Sequence, residues 1–267
     1  MSSDHPIGIF DSGIGGLSVL EHIRKLLPLE NLIYVSDRGH LPYGNKHYDY
    51  ILKRSQTISE FLLGQEVKAI VIACNTATAV AVGHLRQTYT LPIIGMEPGV
   101  KPAIRQSRSG LIGVLATQGT LTSRKFQALL RQHANGAEII FCPCHGWVEA
   151  IEHNGHDHQE THKLVKQQLE PILEAGADTL VLGCTHYPFL RATIENIAGT
   201  DISIIDTGPA VARQLYRRLA DQNLLSKEPS AGSETFWCSA ATEQTQELLT
   251  KLRNKPTLVK ALPEVSY

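Results

Sequence analysis

The sequence predicts an α/β protein made of two pseudo-symmetric α/β domains with parallel-type sheets and a ligand cleft between them. Three observations predict it. Short apolar runs alternate with longer stretches of helical period, the βαβ rhythm of a parallel sheet. One segment recurs: KAIVIACNTA, Lys68 to Ala77, resembles DTLVLGCTHY, Asp178 to Tyr187, with a cysteine at the same place in each. Polar residues gather just past the carboxyl ends of the expected strands, where open α/β sheets bind ligands.

Strand-like PIGIF leads into GLSVLEHIRKLL, whose apolar residues fall at helical spacing. LIYVS is followed by a polar loop and the helical ILKRSQTISEFLLG, and AIVIA by a helical segment from Asn75 to Gln87. LPIIGM, LIGVLA, EIIFC, TLVLGC and ISIIDT continue as β-rich runs, each followed by a turn or a helix-opening signal. GMEPGVKPA, around Met96 to Ala103, reads as a crossover between halves because it holds two prolines and two glycines. A second crossover follows IIDTGPA near Asp206 to Ala210, after which TFWCS and TEQTQELLTKL return to the first half. The expected domains are residues 1–97 with 208–267, and residues 98–207.

Composition narrows the function. With 25 Lys+Arg against 26 Asp+Glu, the net charge of -1 gives no global field toward nucleic acid or anionic lipid, so a small molecule is the expected partner. The first residues carry no secretory signal, and no apolar run approaches the roughly 18 residues of a membrane helix. A cytoplasmic protein is expected. Five cysteines, an odd number, point to reduced thiols rather than a disulfide framework.

Cys74 and Cys184 head the candidate residues. A thiol at a helix N-terminus has its thiolate favoured by the macrodipole and by unpaired backbone N–H groups. Each of these cysteines ends a buried strand and precedes polar residues able to open a helix, Asn75-Thr76 and Thr185-His186. An isolated free cysteine usually serves as a small buried hydrophobe, but recurrence in matched contexts marks this pair as functional. His186 is placed to set the protonation of Cys184.

Asp11 and Ser12 follow a strand and precede Gly13, Gly15 and Gly16, where bare backbone lets a ligand approach. The spacing is not the dinucleotide fingerprint and lacks a P-loop lysine, and Asp11 suits an amino group or a thiol better than a phosphate. The loop from Ser36 to Lys46, with Asp37, Arg38 and Pro42-Tyr43-Gly44, reads as a binding loop or lid. Thr117 and Thr120 follow a strand in the second half and either bind a carboxylate or cap a helix. Cys142-Pro143-Cys144-His145 invites a zinc reading, but the spacing is tight for a structural site and no second CxxC completes it, so no metal is expected. Glu152, one turn after Glu149, either reaches the cleft or belongs to an exposed acidic face.

In this order, DSGIGGLSV, PYGNK, ACNTAT, EPGVKPA, ATQGTLTS, WVEAIE and LGCTHYPFL resemble the glutamate racemases of bacterial cell-wall synthesis over residues 7 to about 212. The resemblance implies an active site in the cleft between two α/β domains, no cofactor, and interconversion of L- and D-glutamate for peptidoglycan. It implies that Cys74 and Cys184 act as acid and base on opposite faces of the substrate's α-carbon, assisted by Asp11 and His186. It further implies that Ser12, Tyr43, Gly44, Asn75, Thr76, Thr117, Thr120 and Thr185, with Pro42 in the same loop, hold the substrate. Asp37 and Glu152 match acidic positions near that pocket.

Arg38-Gly39-His40 departs from the family form, as does the extra cysteine between Cys142 and Trp147. A long N-terminal extension found in some activator-dependent relatives is absent, so activation by a cell-wall precursor is not expected. A homodimer is the expected assembly. An aspartate or hydantoin racemase would share the two-cysteine cleft, a catalytically silent binding module would have little need of both thiols, and zinc-dependent hydrolysis would require a metal. No lysine has the setting of a Schiff-base lysine, so the substrate's α-carboxylate must be stabilised by preorganised donors.

Overall fold

A computed structural model describes residues 2–134, 136–155 and 157–263. The chain divides into two compact units, Met1–Met96 with Gly208–Tyr267, and Glu97–Thr207. The first begins with β1 (Ile7–Asp11), α1 (Leu17–Leu26) and β2 (Leu32–Ser36), followed by two 3₁₀ turns, Arg38–His40 and Tyr43–Asn45. It continues with α2 (Tyr48–Gly64), β3 (Ala69–Ile72), α3 (Asn75–Thr88) and β4 (Ile93–Ile94). The second unit opens with α4 (Val100–Gln106), β5 (Leu111–Leu115), α5 (Gln118–Leu121), α6 (Arg124–His133) and β6 (Glu138–Cys142). After these come α7 (Trp147–Asn154), α8 (Gln159–Glu174), β7 (Thr179–Leu182), a 3₁₀ turn at Tyr187–Leu190, α9 (Arg191–Ala198) and β8 (Ser203–Ile205). The chain then returns to the first unit as α10 (Gly208–Asp221), β9 (Glu234–Cys238), α11 (Glu243–Arg253) and β10 (Val259–Ala261). Among the described residues no helix is long and apolar enough to cross a membrane.

The α/β class expected from the sequence is the class observed, and every strand pair is parallel. The first sheet runs β10-β9-β2-β1-β3-β4 and the second β6-β5-β7-β8. β1 and β3 are buried at every position, as strands covered on both faces must be, which is why they read as unbroken apolar runs. On one face Phe10, Val35, Ile70 and Ile72 pack against Ile58 and Leu62 of α2 and Leu85 of α3. In the second unit Ile112, Val114 and Val181 pack with Val100, Phe126 and Leu130. Each such side chain contributes about 1.5–3 kcal/mol through the water it leaves.

The first four strands of each unit share one order, second-first-third-fourth. The likeness extends to single hydrogen bonds. Ala73 N–H donates to the Phe10 carbonyl where β3 leaves its sheet, and Gly183 N–H donates to the Leu115 carbonyl where β7 leaves its own, both at 2.7 Å. Counting from these bonds, Cys74 and Cys184 hold the same position in the two units, and so do Ser12 and Thr117.

The returning segment is tied to the first unit by the Glu234 carboxylate. It accepts from Arg24 Nε at 2.9 Å and Lys255 Nζ at 2.9 Å, with Arg253 also in contact. Burial alone would raise this carboxyl, but Lys255, Arg24 and Arg253 hold it down at about 2.

Candidate active site

In the first unit the candidates lie at or just past the carboxyl ends of β1, β2 and β3, Asp11 being the last residue of β1. Asp11 is fully buried, and its carboxylate accepts the Ser12 and Gly16 N–H groups, each at 2.7 Å. It therefore closes the turn into α1 from inside. A Cβ at Gly16 would lie 2.9 Å from Asp11 Cβ, 3.0 Å from the Tyr34 hydroxyl and 3.1 Å from Ala73 Cβ. Gly16→Ala is expected to cost about 1–3 kcal/mol by overpacking. A lowered urea midpoint at unchanged slope would report it.

Cys74 caps α3, its sulfur accepting the Ala77 N–H at 3.4 Å, and the Ser12 hydroxyl lies 3.6 Å away. The positive end of a 14-residue helix therefore bears on this thiol. Thr76 is buried beside it, and both amide heavy atoms of buried Asn75 lack a partner among the described residues. Buried polar groups in native proteins are nearly always satisfied, so Asn75 holds hydrogen-bonding capacity for a ligand.

Asp37, next after β2, is the hub of the following loop. It accepts from the Tyr43 hydroxyl at 2.6 Å and from Arg54 through Nε at 3.0 Å and Nη2 at 2.7 Å, with His40 at 4.0 Å. Burial first, and then Asp37, push the Tyr43 phenol well above its ordinary range, so it stays a donor. Pro42 and Gly44 flank it, half-buried. The unusual loop residues are braced by the returning segment: Gly39 N–H donates to Ser239 Oγ and Arg38 Nη1 to Thr245 Oγ1, each at 3.0 Å. Arg54, in the middle of α2, escapes sequence reasoning because nothing in a helical pattern says that one cation reaches back to a loop.

In the second unit Thr117 caps α5, its hydroxyl accepting the Thr120 N–H at 3.3 Å and lying 3.1 Å from the Thr120 hydroxyl. Thr185 is buried next to Cys184. Here one expectation is corrected: no helix opens at Cys184. The chain makes a turn closed by Tyr187 N–H to the Cys184 carbonyl at 3.1 Å, then the 3₁₀ turn. Pro188 explains this, since it has no N–H to return to the Cys184 carbonyl as the first α-helical bond requires.

A side chain stands in for the missing helix dipole. His186 Nδ1 lies 3.8 Å from Cys184 Sγ, and its Nε2 lies 2.8 Å from Glu152 Oε1. Burial alone would lower the imidazole's pKa, but its bonds to Cys184 and Glu152 raise it well above the ordinary 6.5. Glu152 is 1% exposed, which removes the reading of an exposed acidic face. Trp147, the first residue of α7, meets Tyr187 edge-on with ring centroids 4.9 Å apart, and this contact holds the helix of Glu152 against the turn of His186.

The Cys142-Pro143-Cys144-His145 stretch gathers two thiols, but His145 is exposed. Among the described residues no three His, Cys, Asp or Glu side chains converge as a metal site would need.

The two units thus carry equivalent cysteines at equivalent strand exits, each with its own polar partners. The description Asp/Glu/Hydantoin racemase matches residues 17–215 of this chain. The chain belongs to the Asp/Glu/hydantoin racemase family. Within this racemase family it is 51% identical over 261 residues to the glutamate racemase of Methylococcus capsulatus, across 98% of this chain and 96% of that one. It is 52% identical to a glutamate racemase of Pseudomonas putida, across 94% of each. Among solved structures it is similar to a glutamate racemase of Bacillus anthracis, at TM-score 0.89 and 29% identity over 98% of both chains. It is also similar to the Escherichia coli glutamate racemase in complex with L-glutamate and the activator UDP-MurNAc-Ala, at TM-score 0.85 and 32% identity, over 98% of this chain and 100% of that one.

Proposed function

We propose that the chain interconverts L- and D-glutamate without a cofactor, using Cys74 and Cys184 as the two proton-transfer groups, and so supplies D-glutamate for peptidoglycan. The observation that carries this reading is the equivalence of the two cysteines within a duplicated fold, each in contact with its own polar partners. Racemisation takes a proton from one face of Cα and delivers another to the opposite face. One thiolate and one thiol do this, and they exchange states with each turnover.

The α3 N-terminus and the Ser12 hydroxyl favour a thiolate at Cys74. At Cys184 the imidazolium of His186, held by Glu152, can donate to the sulfur when it is anionic. In this scheme, as the family resemblance implies, Asn75, Thr76, Thr117, Thr120 and Thr185 bind the substrate's charged groups, with hydrogen bonds that strengthen as charge grows on the α-carboxylate. Lys68, a fully buried lysine, is ion-paired with Glu30 at 2.5 Å and has no role in this scheme.

The test is incubation of metal-free, pyridoxal-free protein with D-glutamate in D2O. Early L-glutamate should carry deuterium at Cα while recovered D-glutamate remains protiated. No exchange with glutamate, or exchange with aspartate in its place, would overturn the assignment.

Arg54 supplies a second test. Arg54→Met removes two of the three side-chain hydrogen bonds that Asp37 accepts and leaves the third, from Tyr43, loosely held. KM for glutamate is expected to rise about tenfold, the equivalent of one charged hydrogen bond, with a much smaller change in kcat. Steady-state kinetics in both directions would measure it.

A further inference from the structure

Cys142 and Cys144 take no part in the reaction proposed above. Cys142 closes β6, an edge strand of the second sheet, and Cys144 stands just before Gly146 and α7. Their sulfurs are 3.6 Å apart, and the Cys144 thiol donates to the Cys142 sulfur. That bond lowers the Cys142 thiol's pKa against the effect of burial, whereas burial pushes Cys144 well up. A more acidic thiol in contact with a less acidic one is the arrangement of an attacking and a resolving cysteine. Tyr187 lies close enough to Cys144 for that thiol, after burial, to raise the phenol's pKa. The same ring stacks edge-on against Trp147 and follows His186 directly in the chain.

We propose that Cys142 and Cys144 form an oxidative modification site, a dithiol that hydroperoxides convert to a disulfide and that is coupled through Tyr187 and Trp147 to the Glu152 and His186 pair. The Cys142 thiolate attacks one peroxide oxygen, the O–O bond breaks, and the departing hydroxide takes a proton to leave as water. The Cys144 sulfur gives up its proton and attacks the resulting sulfenic sulfur. An S–S bond forms, the S–O bond breaks and a second water leaves, so the dithiol's two electrons reduce one hydrogen peroxide. Cys142, the attacking residue, is 8% exposed, and Cys144 4%. Closing the sulfurs from 3.6 Å to about 2.0 Å moves Cys144, the neighbour of Tyr187, and so disturbs the Tyr187–Trp147 contact at the start of the helix that holds Glu152.

The full chain would be treated with hydrogen peroxide, alkylated with iodoacetamide and mapped by mass. The peptide holding Cys142 and Cys144 is expected to lose the mass of two hydrogens and escape alkylation. With saturating glutamate present during the peroxide treatment to cover Cys74 and Cys184, the His186 imidazole resonance should shift, and racemisation should fall on the order of tenfold and recover with dithiothreitol. Cys144→Ser should keep the basal activity and lose both the disulfide and the recoverable inhibition. Alkylation of both thiols after peroxide would overturn the site, and a disulfide that leaves the His186 resonance unmoved would overturn the coupling. The activity arm rests on the reading in the preceding section, while the peptide map and the resonance do not, so the two failures are distinguishable.

Discussion

Cys184→Ser is expected to lower kcat for glutamate racemisation on the order of 10³-fold or more, about 4 kcal/mol of barrier, in both directions. A serine hydroxyl keeps the size of the side chain and removes its ability to ionise near neutral pH. His186 and Glu152 remain, so the loss measures the sulfur and not its support. Cys74→Ser should behave alike, since its capping contact with Ala77 can be kept by oxygen while its acidity cannot. Circular dichroism of the glutamate product, with tryptophan fluorescence to confirm folding, would decide. A serine variant within tenfold of the parent would refute the two-base scheme.

Glu152→Gln is expected to have the second largest effect, acting on stability as well as activity. The raised pKa of His186 means that folding favours the imidazolium. The stabilisation it brings is fully present below the unfolded value of about 6.5 and is lost as pH rises through the higher folded value. Removing the carboxylate leaves a buried cation unpaired at 2.8 Å from a neutral amide, at a cost of about 3 kcal/mol unless the imidazole sheds its proton. Urea unfolding of parent and variant from about pH 6 to 9 should show the gap closing as pH rises. Turnover should fall with it, because a neutral imidazole no longer stabilises the Cys184 thiolate. A pH-independent gap would mean that Glu152 acts by packing alone.

Much of this was legible because parallel strands buried on both faces leave unbroken apolar runs, and because the duplicated strand exits repeat in sequence as well as in space. Cys74 as a helix cap follows from Ala73-Cys74-Asn75 directly. The equivalent reading at Cys184 fails for a local reason, Pro188, that the motif itself contains. Glu152 was visible as an acid but not as a buried one, since its burial depends on Trp147 meeting Tyr187 from another element. Arg54 was invisible because its partner lies 17 residues back, and periodicity carries no information about such a reach. The insertion of β9 beside β2 is equally remote, a register set by pairing across 202 positions between Leu32 and Glu234.

That pairing has a consequence during synthesis. β2 emerges from the ribosome early, yet the strand that covers its free edge is made only after the whole second unit. The second unit is continuous in the chain and can fold as soon as it is complete. The first must wait with an uncovered apolar edge, open to pairing with other nascent chains. Truncation before residue 234 should therefore yield a chain that aggregates, whereas residues 97–207 contain every strand of their own sheet.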